Sequence, residues 1–311
     1  MSVRALVRRW FPEGTPRIER MGTGVSTPVY RVALDDGDAF LRLGEEPGER
    51  RDAEVRVHEI LRDAGVSVPR ILRWERGPPE LDRSAALTAR MPGRSIEELA
   101  LTPEELALVM RAAGRDLARI NAIPVRGYGW VDVVRGADRH LVAEHQARAA
   151  WAAEYLAATR TVVTSGLLDH SAHTWLTGAM HAWAAIPERH LSALAHGDID
   201  ERTHIFVENG TYTGIIDFGE IRGADPLYDL GQALLNAENP ARRDVFEELV
   251  RGYRELAPLP DGWRAEVRLQ AIAIAARALA IQLGRPPNAY RRTLIDRLHA
   301  LLAGPGQAPV P

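Results

Sequence analysis

A Pro92-Gly93 pair divides the chain into two stretches of opposite character, and this division constrains the fold more than any other feature. Ahead of the pair the pattern is short-range and strand-rich. Val29–Leu34 is rich in β-formers, Asp35-Asp36-Gly37-Asp38 follows as a turn, and Ala39–Leu43 is apolar again, which predicts a hairpin. Residues 50–64 follow a helical period, with Val55, Val57, Ile60 and Leu61 as core positions and Gly65 just past the end. Val66–Leu72 and Ala85–Ala89 read as further strands. Behind the pair, Leu106, Met110, Ala113, Leu117 and Ile120 recur at steps of four and three and predict a helix over 104–121. Residues 142–158, 172–185, 240–255, 263–283 and 289–303 read the same way, and one β segment, at 205–217, interrupts them. The tail GPGQAPVP is too rich in Gly and Pro to fold. At 311 residues the chain has the length of about two domains. The expectation is an α+β architecture: a small strand-rich lobe over 1–91, a larger helical lobe over 92–311, and a small-ligand cleft between them.

Composition narrows the chemistry. The chain has no Cys, which excludes a thiolate zinc site, an iron–sulfur cluster and a cysteine nucleophile. It has no Lys either, so all 39 basic residues are Arg, and a Schiff base or a Walker-type phosphate lysine is excluded. A net charge of −3 gives no general pull toward nucleic acid. The start, MSVRALVRRWF, has too short an apolar run for a signal peptide. The most apolar helical stretch, 267–283, is broken by Arg268, Gln270, Arg277 and Gln282, short of the ~18 apolar residues a membrane span needs. These features predict a soluble, cytoplasmic protein with neither a nucleic acid nor a membrane as partner.

The chemistry concentrates in residues 194–230, LAHGDIDERTHIFVENGTYTGIIDFGEIRGADPLYDL. Ile205-Phe206-Val207 reads as a strand, Glu208-Asn209-Gly210-Thr211 as a tight turn in which Asn-Gly supplies the positive φ angles, and Thr213–Ile216 as the returning strand. A hairpin sets its two open ends side by side, so the loop carrying Asp198 and His204 meets Asp217. Two carboxylates and an imidazole packed together are costly unless a cation sits among them. Oxygen-rich sites of this kind suit Mg²⁺ together with substrate phosphates.

Singly, His-Gly-Asp and Asp-Phe-Gly are common tripeptides, and Asp198 or Asp217 could merely close a turn. The joint pattern is far more specific: His196-Gly197-Asp198, a hairpin, Ile215-Ile216-Asp217-Phe218-Gly219, then Asp225-Pro226-x-x-Asp229. This pattern resembles the aminoglycoside phosphotransferase and choline-kinase-like family, whose fold is similar to that of protein kinases, and the resemblance spans roughly residues 18–300. It implies that Asp198 orients and deprotonates an acceptor hydroxyl and that Asp217 holds Mg²⁺ against nucleotide phosphates. Asp225 and Asp229 would be structural, through capping and hydrogen bonds to the catalytic loop. The family's second metal ligand, an Asn five residues after the catalytic Asp, corresponds to Thr203. Counting back from the strand instead puts His204 in that slot, and neutral imidazole can ligate a divalent ion. Asp200 reads as a solvated acid.

The strand-rich lobe carries the rest of the resemblance. Period-two alternation puts Phe40 and Arg42 on one face of the second hairpin strand. Arg42 occupies the family's phosphate-binding Lys position and Glu54, on the following helix, that of its acidic partner; a guanidinium can hold phosphate in a bidentate fork. GTGVSTP, residues 22–28, fills the phosphate-covering slot, with Ser26 and Thr27 as hydroxyl donors. The stretch Leu87–Met91, with Thr88, Ala89, Arg90 and Met91, would lie along the edge of an adenine or guanine base.

The resemblance therefore implies a kinase that moves the γ-phosphoryl group of ATP or GTP to a hydroxyl of an aminoglycoside-like acceptor. Glu144, Glu154, Asp169, Glu220 and Glu238 are acids available to a polycationic acceptor. A macrolide or a choline-like alcohol is an alternative acceptor. A non-catalytic nucleotide-binding protein, or a metallohydrolase using His196, Asp198, His204 and Asp217, are alternative readings. His170, His173 and His181 lack the spacing and the acids of a metal set, and Trp175, Trp183 and Met180 at helical spacing read as core.

Overall fold

A computed structural model describes residues 2–22, 28–44, 52–135, 140–188, 192–237 and 243–303. Ser26, Thr27, Glu238 and the GPGQAPVP tail lie outside the described residues. Helix α1 (Val3–Trp10) opens the chain, its first turn capped by Ser2, whose hydroxyl accepts from the Ala5 amide. The sequence reading missed it, because eight residues are too few to display a period. Its buried face, Leu6, Val7 and Trp10, packs on Val32, Ala39, Leu41, Leu43, Ala85 and Leu87. Those residues belong to an antiparallel sheet of β1 (Arg17–Arg20), β2 (Val29–Leu34), β3 (Gly37–Leu43), β4 (Ile71–Glu75) and β5 (Ala85–Ala89), in the order β1-β2-β3-β5-β4. Along β3 the alternation is clean: Ala39, Leu41 and Leu43 are buried against α1, while Phe40 and Arg42 lie on the other face, partly exposed.

Helix α2 (Asp52–Asp63) lies between β3 and β4. The strand expected at Val66–Leu72 starts only at Ile71. Val66 and Val68 are buried in the main core instead, and between them the Ser67 carbonyl accepts from the Ile215 amide at 2.9 Å. Pro69 has no N–H to give a ladder, so the apolar run is spent on packing.

Beyond β6 (Arg94–Ser95), helix α3 (Pro103–Asn121) is opened by a capping box: Thr102 accepts from the Glu105 amide and Glu105 accepts from the Thr102 amide. The helical lobe then departs from expectation. It contains β7 (Pro124–Arg126), β8 (Tyr128–Arg135), β9 (His140–His145) and, beyond two helices, β10 (Ser192–Ala195) and β13 (Arg222–Ala224), which close into a barrel in the order β10-β13-β8-β9-β7. The hairpin β11 (Ile205–Glu208) and β12 (Thr211–Ile215) is thus one of several β segments there. It pairs with β6 in a separate sheet. The helix expected at 142–158 is β9 up to His145 and then α4 (Arg148–Thr164). Alternating burial along His140–His145 follows a period of two that a helical reading averages away.

The remaining helices are α5 (His170–Ala184), α6 (Tyr228–Ala237), α7 (Arg243–Arg254), α8 (Trp263–Leu283) and α9 (Ala289–Ala303). Trp183 and Met180 are core residues as expected, but Trp175 is exposed. No described helix is long and apolar enough to cross a membrane. Helices α3 and α7 touch backbone to backbone. A Cβ on Gly114 would strike the Leu249 carbonyl, and one on Gly252 would strike the Arg111 carbonyl. Either Gly114→Ala or Gly252→Ala should therefore cost roughly 1–3 kcal/mol of stability in urea titration. A midpoint equal to that of the unaltered protein would mean that the helices can part freely.

Candidate active site

The hairpin delivers the convergence that its sequence predicts. Asn209 and Gly210 form the two-residue turn with φ angles of 51° and 71°. Ile205 faces Ile215, and the Ile216 amide donates to the His204 carbonyl at 3.0 Å, so His204 and Asp217 leave the hairpin side by side. His204 Nε2 lies 3.8 Å from Asp217 Oδ2. Asp217 itself has φ 70° and ψ 62°, a left-handed conformation uncommon for a residue with a Cβ. That conformation turns its carboxylate toward the strand-rich lobe, where Arg42 Nη1 meets Asp217 Oδ1 at 2.9 Å and Glu54 Oε1 at 3.2 Å. Gly219 leaves room for the same guanidinium, since its Cβ would stand 3.1 Å from Arg42 Nη2. Arg42, Glu54, Asp217 and His204, scattered over the sequence, thus form one contiguous set.

The charge balance follows from this packing. Desolvation pushes the Asp217 carboxyl up, but Arg42, His204 and His196 outweigh it and hold the group below the usual carboxylate range. Asp198 goes the other way. Its side chain opens to solvent, yet desolvation by the surrounding walls pushes its carboxyl up to about 6, with His204 opposing and Glu220 and Asp217 adding to the rise. His196 is fully buried, and that burial holds its imidazole down to about 3, so the ring is neutral. It donates from Nε2 to the Ile216 carbonyl at 2.9 Å and accepts the Asp198 amide at Nδ1 at 3.4 Å. Both ring nitrogens are occupied by the backbone.

The loop bearing Asp198 is anchored from below. Asp229, fully buried, accepts from the His196 amide at 2.9 Å, the Gly197 amide at 3.0 Å and Asn121 Nδ2 at 2.8 Å. Gly197 has φ 86° and a Cβ there would run into the Glu220 carbonyl, so only glycine fits. Asp225 does something other than the expected capping and catalytic-loop bonding. It receives Arg148 in a two-pronged contact, Nε to Oδ1 at 2.9 Å and Nη2 to Oδ2 at 2.8 Å, and Gln270 Nε2 at 3.0 Å. Arg148 also donates to the Trp183 and Ala184 carbonyls, so this buried pair fixes the entry to α6 and hence Asp229. Asp200 is largely engaged as well: its carboxylate accepts the Arg202 amide at 2.8 Å, and its own amide donates to His204 Nδ1 at 3.3 Å.

The stretch joining the lobes is less open than expected. Thr88 and Phe40 are cross-strand neighbours, both partly exposed on the face that carries Arg42. The amides of Ala89 and Arg90 already donate to the Arg70 and Asp38 carbonyls. Arg90 is exposed, with Nη2 donating to the Gly93 carbonyl at 3.4 Å, and Met91 is buried over Gly214. Of the acids considered for a polycationic acceptor, Glu220 stands near Asp198 and is held by Arg222 at 2.6 Å. Glu144 and Glu154 meet at His145 instead, and Asp169 caps α5. Asp116 and Asn121 escaped sequence reading. Asp116 accepts from the Ser67 amide and the Tyr212 hydroxyl, tying α3 to the strand β12 that leads to Asp217. The only sequence signal was a polar residue on the apolar face of a helix.

The donor set of the cleft, one half-exposed carboxylate and one imidazole 3.8 Å apart, fits a divalent cation. Comparison with known proteins agrees with this architecture. A thermostable mutant of aminoglycoside phosphotransferase APH(4)-Ia, in ternary complex with ADP and hygromycin B, superposes with a TM-score of 0.71 at 16% identity, over 97% of this chain and 98% of the other. A putative fructosamine-3-kinase from Thermobifida fusca YX-ER1 gives 0.63 at 20% identity, over 97% and 99%. The macrolide 2'-phosphotransferase MphH from Brachybacterium faecium gives 0.59 at 21% identity, over 98% and 100%. The fold is thus the bilobal, protein-kinase-like α+β fold of these phosphotransferases. No curated protein matches the chain in sequence. The sequence pattern of the phosphotransferase enzyme family, APH, does match it over residues 17–267, and the chain belongs to that family.

Proposed function

We propose that the chain transfers the γ-phosphoryl group of ATP or GTP to a hydroxyl of a small molecule, an aminoglycoside-like acceptor being the first candidate. The observation that carries this reading is the set at the hairpin's open end: Asp198 open to the cleft, Asp217 beside His204, and Arg42 reaching Asp217 from the other lobe. The nucleotide donor is supported by structures of the same fold that hold ADP with hygromycin B, or GDP. We place the boundary between the lobes after Met91, giving 1–91 and 92–311.

In this reading Asp198 accepts the proton of the acceptor hydroxyl. Its raised carboxyl is still ionised at neutral pH and is a stronger base than an ordinary aspartate. Asp229 holds the Asp198 loop through its amides, so the base is positioned before the acceptor arrives. Arg42 supplies a permanent positive charge for the phosphates, with Glu54 fixing its direction. Phe40 and Thr88 face the nucleotide from the sheet, and Ala89, Arg90 and Met91 border its base. Asp217 and His204 hold the divalent cation, Mg²⁺, which when bound neutralises charge on the phosphate oxygens. Nε2 is the His204 nitrogen that faces Asp217 and would be the donor atom, which requires the ring proton on Nδ1. The use of both His196 nitrogens by the backbone weighs against a metallohydrolase that needs that ring as a ligand.

Two substitutions separate the roles. Asp198→Ala should lower kcat by at least about 10²-fold, while ADP affinity measured by calorimetry stays within about twofold. Near-normal turnover in that variant rejects Asp198 as the base. Asp217→Ala should weaken binding of ADP in the presence of Mg²⁺ by about tenfold or more, with far less effect when the metal is chelated. Superimposable isotherms in both conditions reject the metal role.

A further inference from the structure

Helix α9 is tethered to the loop that carries Asp198. The Ile199 carbonyl accepts from Asn236 Nδ2 at 2.9 Å, and Asn236 Oδ1 accepts from Arg297 Nη1 at 3.1 Å. Tyr290 lies seven residues before Arg297, which on a helix means the same side, about 20° away around the axis and about 10 Å along it. Leu294, Leu298 and Leu301 of this helix are buried, yet Tyr290 is 51% exposed. Its phenol is pushed up by the packing on its covered side and by Asp198, with Arg297 opposing and Asp200 adding. The ring therefore stands at the rim of the cleft within the field of both loop carboxylates. It is a half-exposed aromatic with an apolar face and a polar tip, a side chain suited to supplying contact area to a ligand.

We propose that Tyr290 is the specificity-determining platform of the acceptor site, its ring packing against the C–H face of a saturated, hydroxyl-bearing ring whose hydroxyl is presented to Asp198. This rests on the phosphotransfer reading above. The surroundings favour such a partner over a wholly apolar one: Arg297 and the carboxylates of Asp198 and Asp200 all act on the phenol, a mixed polar setting suited to the polar groups of a sugar-like molecule. On that reading the nucleotide side of the cleft is built from β3 and β5, whereas α9 packs chiefly on α8 and α5, so the platform acts on the acceptor.

The test measures phosphoryl transfer to hygromycin B, to a macrolide and to a fructosamine by the unaltered protein and by Tyr290→Phe and Tyr290→Ala, with ADP affinity followed by calorimetry. For an acceptor the unaltered protein phosphorylates, Tyr290→Ala should raise KM by about tenfold with kcat within about threefold, and Tyr290→Phe should restore KM to within about twofold. ADP affinity should be the same in all three proteins. An unchanged KM in Tyr290→Ala overturns the platform and leaves phosphotransfer standing, as does a Tyr290→Phe variant as impaired as Tyr290→Ala. Transfer to none of the three acceptors by the unaltered protein overturns the acceptor reading, and the platform with it. Should Tyr290→Ala melt early, Tyr290→Gln keeps a helix-favouring side chain of similar length and must show the same rise in KM.

Discussion

Arg42 spans the cleft, and the arrangement of the site depends on that one guanidinium. It leaves the sheet on β3, meets Glu54 on α2 and reaches Asp217 at the end of β12, so one cation joins three elements from two lobes. Two carboxylates facing a single guanidinium leave the set net negative, which a divalent cation can balance once Asp217 turns to it. On the phosphotransfer reading a phosphate would compete for the same guanidinium, because Arg holds carboxylate and phosphate with the same planar fork. The pair to Asp217 therefore keeps the lobes in register while exposing a group that binding can release.

Beneath that cation lies a framework of buried acids, each with a full complement of partners. Asp229 takes two backbone amides and Asn121. Asp225 takes Arg148 and Gln270, and Asp116 takes the Ser67 amide, the Tyr212 hydroxyl and Arg119. Burying a carboxylate is costly unless its lone pairs are satisfied. Each of these takes at least one partner from an element distant in sequence, so the polar interior fixes how those elements meet. Hydrophobic packing alone tolerates sliding; three saturated carboxylates under the Asp198 loop and the hairpin do not.

The parts of the site legible in the sequence were those governed by local rules. Asn209-Gly210 dictated a tight hairpin, the hairpin dictated that His204 and Asp217 meet, and alternation along β3 put Phe40 and Arg42 on one face. What escaped was long-range. The barrel in the helical lobe is assembled from strands such as Pro124–Arg126 and Arg222–Ala224, too short to show a period and paired with partners far along the chain. Asp225 and Asp229 sit in one motif, yet only the fold reveals that one anchors α4 and the other the Asp198 loop. Trp175 misled for the opposite reason: an aromatic at core spacing can sit on the rim of its helix rather than inside it.

The choice of arginine at position 42 reaches beyond affinity. With no lysine anywhere in the chain, the cleft offers no primary amine from a side chain. On the phosphotransfer reading, nucleotide analogues that acylate a side-chain amine lying against the phosphates would leave this protein unmarked. For this chain, reagents directed at guanidinium groups are the ones suited to label the cation that faces Asp217.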